Sequence, residues 1–486
     1  MKSSRSQNRR TRGLPTTITS ALILLCAGWF AAAGLFAQEP RRDQLLNGLR
    51  VVMLPRPGDA NVLIKLRVHD GSAFDLAGKE GLMQTLADAM FDQQTRNYVT
   101  EELGGRLDVV TDYDSVNITL AGKATDFDRL LELARNAVMN VQLTPEAVER
   151  VRAARIKALR DRKQTDAERA DAAVAARLFG TYPYGRTITG TPESVARIER
   201  ADLMIERERF LNPDNTTLVI AGGFDPKAAM RTLRESFGGW VKSGRTVPAT
   251  FRQPDQPDPR TLVVNEPGQT GVELRLAVRG LARTDRDAPA ALVLASVVRA
   301  RWLAAMPELK DRAAFVRHDA YSAGGLFRMG ASLRTAAEAS KALEAARSIL
   351  RDLSTSAPTA AELDSAKREV AASLSQSTQG DEGRATSLLD EQTYNSTAAT
   401  ADGMIRAAND LSPAEAQRVA ARLFLNTPTA TVAVGDAAQL RAELARAGGV
   451  EVAGEAASNP QPQQPKPQQQ QKPQQQPALQ LKRPQQ

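Results

Sequence analysis

The chain has 486 residues, a formal net charge of +8, one cysteine and two histidines. Five cations fall in residues 1–38 and four in residues 456–486, neither segment holding an acid, so taking these nine from +8 leaves −1 for the body. That balance gives no case for nucleic-acid binding, and one cysteine excludes a disulfide framework.

Residues 1–17 are polar and basic, and an apolar run follows over 18–36. A basic start, an apolar stretch and a small residue before a polar segment describe a secretory signal, with cleavage expected at Ala37. An uncleaved membrane anchor is the alternative, because the run is about long enough to cross a bilayer. Cys26 follows Leu25, which is too large for a lipoprotein site. The expectation is export to the periplasm or cell envelope, with membrane contact only through this segment if it is retained.

The folded body follows. Residues 47–70 read as a β-hairpin, with Val62, Ile64, Leu66 and Val68 alternating along its second strand. A glycine-marked turn over 71–80 leads into residues 81–91, where Leu82, Leu86 and Met90 recur every four positions as one apolar helical stripe. Residues 144–161 form a second helical stretch rich in Ala, Arg and Glu. A turn-rich stretch, 182–190, reads by itself as a surface loop. The half closes on a helix ending at Phe210-Leu211-Asn212 and a strand at Thr217-Leu218-Val219-Ile220, and the Gly222-Gly223 pair ends that strand.

The pattern then repeats. Residues 50–58 match 260–268, and Val272, Leu274, Leu276 and Val278 continue the alternation of the first half. The helix at 144–161 parallels 360–374, and Phe424-Leu425-Asn426 precedes a strand at Thr431-Val432-Ala433-Val434. A period near ~210 residues is too long for a solenoid and implies a duplicated α+β domain. The expected segments are 1–38 (signal or anchor), 42–245 and 258–449 (the two domains) and 456–486. The last is nearly all Gln and Pro and reads as a disordered, solvated tail.

These features together resemble the M16 peptidase family, the insulinase and mitochondrial-processing-peptidase type. The resemblance rests on the Gly-Lys-Glu-Gly-Leu turn at 78–82, the helix after it, the Tyr-Pro-Tyr-Gly run at 182–185, the Gly-Thr-Pro-Glu-Ser run at 190–194, and the duplication. It implies two homologous halves, each a mostly antiparallel sheet with helices packed on one side. In this family the helix carries His-x-x-Glu-His, two zinc-ligating imidazoles one turn apart with the general-base Glu between them. Here those positions are Gln84, Ala87 and Asp88. The third ligand, a Glu on the next helix, is replaced by Ala158 in the run that begins at Glu149. The substrate-holding Arg and Tyr of the second half correspond to Arg312 and Val316, and the Gly-rich loop to residues 296–301, which contain no glycine.

His69 and His318 stand outside any ligand spacing and read as polar surface or strand-end residues. No phosphate loop, Gly-x-Ser-x-Gly or Cys-His pair offers another chemistry. The resemblance therefore implies an exported, non-catalytic protein without zinc of its own, acting as a structural or peptide-binding subunit beside an active zinc metallopeptidase of the same family. Two alternatives stay open. One is a metallopeptidase with relocated carboxylate ligands, Asp88, Asp92 and Glu149; the other is a stand-alone peptide-binding or assembly factor.

Overall fold

The computed structural model describes residues 39–245 and 247–454. The signal segment with Ala37, and the Gln/Pro-rich tail, lie outside the described residues. The first half runs β1 (Arg41–Gln44), β2 (Arg50–Pro55), β3 (Asn61–His69), α1 (Leu82–Ala89), α2 (Gln93–Asn97), β4 (Arg106–Thr111) and β5 (Ser115–Lys123). It continues with α3 (Phe127–Met139), α4 (Pro145–Asp161), α5 (Asp166–Phe179), α6 (Pro192–Ala196), α7 (Arg200–Phe210), β6 (Thr216–Gly222) and α8 (Pro226–Phe237). The second half runs β7 (Thr261–Asn265), β8 (Val272–Gly280), α9 (Ala288–Ala305), β9 (Phe315–Tyr321), β10 (Gly324–Leu333), α10 (Ala336–Thr355) and α11 (Ala360–Ser377). It ends with α12 (Gly380–Tyr394), α13 (Ala401–Asn409), α14 (Pro413–Phe424), β11 (Ala430–Gly435), α15 (Ala437–Leu444) and β12 (Val450–Val452).

Each half builds a six-stranded sheet, ordered β1-β2-β6-β3-β5-β4 and β12-β7-β11-β8-β10-β9. Five strands of each follow the same order, which makes the duplication visible in topology. Most pairings are antiparallel; β2 with β6, β7 with β11, and β7 with β12 are parallel. The hairpin expected over 47–70 does not form, because β6 lies between β2 and β3. All seven residues of β6 are buried, and a strand covered on both faces belongs at the centre of a sheet rather than its edge. In the second half β11 separates β7 from β8 in the same way.

The helices begin where their caps stand. Thr144 accepts the amide of Ala147 with Pro145 at the first helical position of α4, and Thr359 and Glu362 form a reciprocal box on α11. One face of each sheet carries helices of its own half over a continuous apolar core. The opposite face carries a helix of the other half. Ala170, Val174 and Leu178 of α5 pack on Ala277 and Val432 of the second sheet. Ala385 and Leu389 of α12 pack on Val52, Leu54, Leu63 and Val219 of the first.

Ion pairs anchor both crossings. Asp171 of α5 holds the buried Arg275 (2.5 Å) and Arg328 (2.9 Å), and Asp390 of α12 holds Arg67 at 2.7 Å. A guanidinium in a sheet interior is tolerated only with such partners. The two halves thus complete each other's burial. Helix α9 is long and apolar enough to span a membrane, yet Leu294, Val298 and Trp302 lie in the second core.

Candidate functional site

Helix α1 starts without a side-chain cap of its own, at Gly81 in the left-handed region (φ +90°). The buried Asp75 carboxylate takes over that role, accepting from the amides of Gly81 (2.7 Å) and Met83 (2.8 Å). Burial pushes the Asp75 carboxyl up to about 7, against the opposing pull of those two amides. A Cβ on Gly81 would stand 2.8 Å from the carbonyl of Thr189. The absence of a side chain therefore lets the 189–190 backbone lie directly on the start of α1. Ser194 at the start of α6 closes this contact by donating to the carbonyl of Glu80 at 2.7 Å.

Leu82, Met83, Leu86 and Ala87 face the first core. Gln84 and Asp88, one turn apart, occupy the half-exposed face. The Gln84 amide donates to one Asp88 oxygen at 2.9 Å, and Arg155 of α4 donates to the other at 3.3 Å. Arg155 is fixed in turn by the carbonyl of Thr189, at 3.0 Å from its Nη2. Ala87 has no exposed surface. Ala158, one turn beyond Arg155, lines the same groove as Asp88. That groove encloses about 660 Å³, with Met90, Phe91, Val109 and Val151 among its apolar walls and Arg96 and Arg150 beside them.

The residue on α4 that reaches the Asp88 position is Arg155, which the sequence reading passed over. A signal existed: Arg155 stands three residues before Ala158, hence on the same helical face, and its charge complements Asp88. These residues do not fit zinc. An amide, a methyl group and a carboxylate whose two oxygens are both taken cannot supply three ligands, and a guanidinium in their midst repels a cation.

The relocated ligands do not converge either. Asp92 caps α2 by accepting from Thr95 at 2.8 Å; Glu149 pairs with Arg152. Among the described residues no group of three His, Cys, Asp or Glu side chains stands close enough to hold a metal.

Arg312 ends the short turn Pro307–Asp311 before β9, with its guanidinium 3.8 Å from Glu338 of α10. Residues 296–301 are not a loop but part of α9, where Ser296 and Arg299 bond Glu369 and Arg301 grips Glu362. Both histidines are buried, so neither is a surface residue, and of the two alternatives His69 takes the strand end while His318 lies within β9. Nε2 of His69, at the end of β3, lies 3.0 Å from the Thr217 hydroxyl, and Nε2 of His318 accepts from the amide of Leu281 at 2.9 Å. Burial holds them down, to about 3 and about 4 respectively. Tyr182 and Tyr184 of the supposed surface loop are likewise buried, Tyr182 stacked on Phe179 and Tyr184 tilted against Tyr321 where the halves meet.

The two-sheet frame, its duplicated strand order and the helix that follows the third strand define the class: a two-domain α+β body built from two homologous halves. The family profile described as insulinase (peptidase family M16) matches residues 50–192, and that described as the peptidase M16 inactive domain matches residues 197–370. The chain belongs to the M16 family. It is 29% identical over 255 residues to an uncharacterized zinc protease of Mycobacterium tuberculosis, covering 50% of this chain and 58% of that protein. The chain thus spans little more than half the length of that relative. Its fold matches a protease from Helicobacter pylori with a TM-score of 0.73 at 19% identity, covering 82% of this chain and 100% of the other. It also matches a chain of Complex III2 from Candida albicans with a TM-score of 0.70 at 14% identity, covering 83% and 99%.

Proposed function

We propose that this chain is an exported, non-catalytic M16 subunit that presents its first-half groove to peptide beside an active zinc-bearing partner of the same family. The observation that carries this reading is the Gln84–Asp88–Arg155 network, which fills the position of the zinc triad with a self-satisfied polar cluster. The apolar groove beside it, with Arg96 and Arg150 at its walls, is the part of the peptide-handling surface that remains. Resemblance to a chain of Complex III2 supports a role within an assembly, and the apolar run at 18–36 supports export.

The test is zinc content and cleavage measured together. The purified chain, dialysed against zinc, is expected to hold well below one equivalent and to leave a peptide library uncut. Stoichiometric zinc with chelator-sensitive cleavage would overturn the reading.

A further inference from the structure

A second groove, of about 730 Å³, lies between α7 and the segment that follows α8. Three of its apolar lining residues are turned to solvent, Met204 at 42%, Ile205 at 51% and Val241 at 80% exposed, while Leu211 and Val247 pack on the first core. Leu46, fully exposed at the β1–β2 turn, belongs to the same region. Asn47 beside it donates to the carbonyls of Phe237 (2.8 Å) and Trp240 (3.0 Å), the latter next in the chain to Val241. The Asp214 carboxylate accepts from the amides of Ser243 (3.1 Å) and Gly244 (2.8 Å). The segment is therefore braced from both sides, with Trp240 and Val247 packed inward on the first core and Val241 displayed to solvent.

The charges around them are mostly positive. Arg207, Lys242 and Arg245 line this groove and form no ion pair among the described residues, whereas Arg209 is matched by Glu206 at 2.8 Å. Glu208 is the one acid in the lining. Exposed apolar side chains among unpaired cations are complementary to a surface that is anionic outside and apolar beneath. The apolar run at 18–36 ends shortly before β1 at Arg41, and the four residues of β1 lead to the turn that carries Leu46. A chain held in a bilayer by that run would have only residues 37–40 as a spacer, at most about 14 Å when extended.

We propose that this face, formed by Leu46, Met204, Ile205 and Val241 with Arg207, Lys242 and Arg245, docks on an anionic phospholipid bilayer. This site is separate from the peptide groove and does not depend on it.

The test uses the full chain with Cys26→Ser, labelled with a polarity-sensitive dye through Val241→Cys, and a control label through Ser365→Cys in α11. Vesicles of phosphatidylcholine alone are compared with vesicles containing phosphatidylglycerol. On the anionic vesicles the label at 241 is expected to shift to the blue and lose several-fold of its accessibility to an aqueous quencher, while the label at 365 does not change. Replacing Arg207, Lys242 and Arg245 by Gln removes three cations from the surface and is expected to weaken docking roughly 100-fold. Thermal melting checks that this variant stays folded. Equal shielding on both vesicle types, or exposure on both, overturns the proposal. So does shielding without lipid that grows with protein concentration, which would assign the face to a second copy. Shielding produced by polyglutamate but not by vesicles would assign it to an acidic protein and would overturn it too.

Discussion

In the first half α1 meets α4 through Asp88 and Arg155; in the second, α9 meets α11 through Arg301 with Glu362 and Arg299 with Glu369. The two seams occupy corresponding places in the duplicated fold, and their polarity is reversed. What lies beside them differs more. The second seam runs over a closed core in which Trp302 is 1% exposed and donates to the carbonyl of Ala342 at 3.1 Å. The first runs along an open groove. A guanidinium–carboxylate pair thus joins two helices in both halves, and at Asp88 it occupies a position where the family resemblance implies a zinc ligand. The first half keeps an opening where the second has only structure.

The largest expected effect tests whether the halves stand or fall together. Trp302→Ala empties the second core and should cost about 4 kcal/mol. With Trp29→Phe added to remove the tryptophan of the N-terminal segment, Trp240 is the tryptophan left in this variant, and its fluorescence under urea titration reports the first half alone. Because α12 lends Ala385 and Leu389 to the first sheet, the Trp240 midpoint should fall together with the far-ultraviolet signal. A Trp240 transition that stays at the wild-type midpoint would mean that the halves are independent.

A second variant set sharpens the contrast between seam and site. Gln84→His, Ala87→Glu, Asp88→His and Ala158→Glu together restore the ligand types, but they leave Arg155 pointing at the metal. This quadruple variant should bind no zinc. Adding Arg155→Ala should allow binding, and zinc at 100 times its Kd should then stabilise the fold by about 2.7 kcal/mol. Equilibrium dialysis and thermal melting with and without zinc read both outcomes. The Ala87 position has no free space, so the Glu version is expected to be less stable than the parent without metal.

Much of this arrangement was legible beforehand. The four-residue period of Leu82 and Leu86, the helical stretches after Thr144 and Thr359 and the repeated closing strands all act locally, so they leave their mark on neighbouring residues. Strand order was not legible. Pairing β6 between β2 and β3 joins residues 148 to 167 positions apart, and nothing in residues 47–70 announces that a third strand will part them. The stripe Ala170, Val174 and Leu178 shows that α5 has an apolar face, but not that the face belongs to the other half's sheet. Arg155 was hidden by its surroundings. Five cations stand on α4; the spacing from Ala158 puts Arg155 on the right face, and packing against Thr189 and Asp88 completes its selection.

Acidity separates the halves as well. His69 and His318 are both neutral in the folded state and bind protons only after unfolding, so each costs stability as pH falls below about 6.5. In the first half Asp70, Asp75 and Asp114 act in the opposite sense. Burial raises their carboxyls to about 6, 7 and 6, so the fold gains stability from protonating them as pH drops from 7 towards 4. The second half has less to offset His318: Asp319 is also raised by burial, with Arg317 opposing. His318→Gln keeps an acceptor for the Leu281 amide. It should reduce the loss of stability between pH 7 and pH 5 by roughly 2 kcal/mol, measured by urea unfolding at both values. An unchanged pH slope would show that His318 is protonated in the folded state.

The smallest effect is the most direct measure of the two seams. Asp88 and Arg155 are 30% and 15% exposed at the side chain and meet through a single 3.3 Å contact. Arg301 and Glu362, at 24% and 31%, meet through two, of 2.7 and 3.0 Å. Double-mutant cycles with Asp88→Asn and Arg155→Gln, and with Arg301→Gln and Glu362→Gln, isolate each coupling from the cost of leaving one partner alone. Partly solvated pairs of this kind are worth about 0.5 to 1 kcal/mol, and the two-pronged pair should stand at the upper end because its geometry is fixed by the guanidinium plane. Arg155 also holds the Thr189 carbonyl, so Arg155→Gln alone should cost more than Asp88→Asn alone, the excess belonging to the 189–190 backbone and not to the ion pair. If the Asp88–Arg155 coupling were zero, the network would be a chance contact on the groove wall. If it matched the second half, the pair would be a seam in its own right, and the loss of the ligands at 84 and 88 would have been accompanied by a gain in structure.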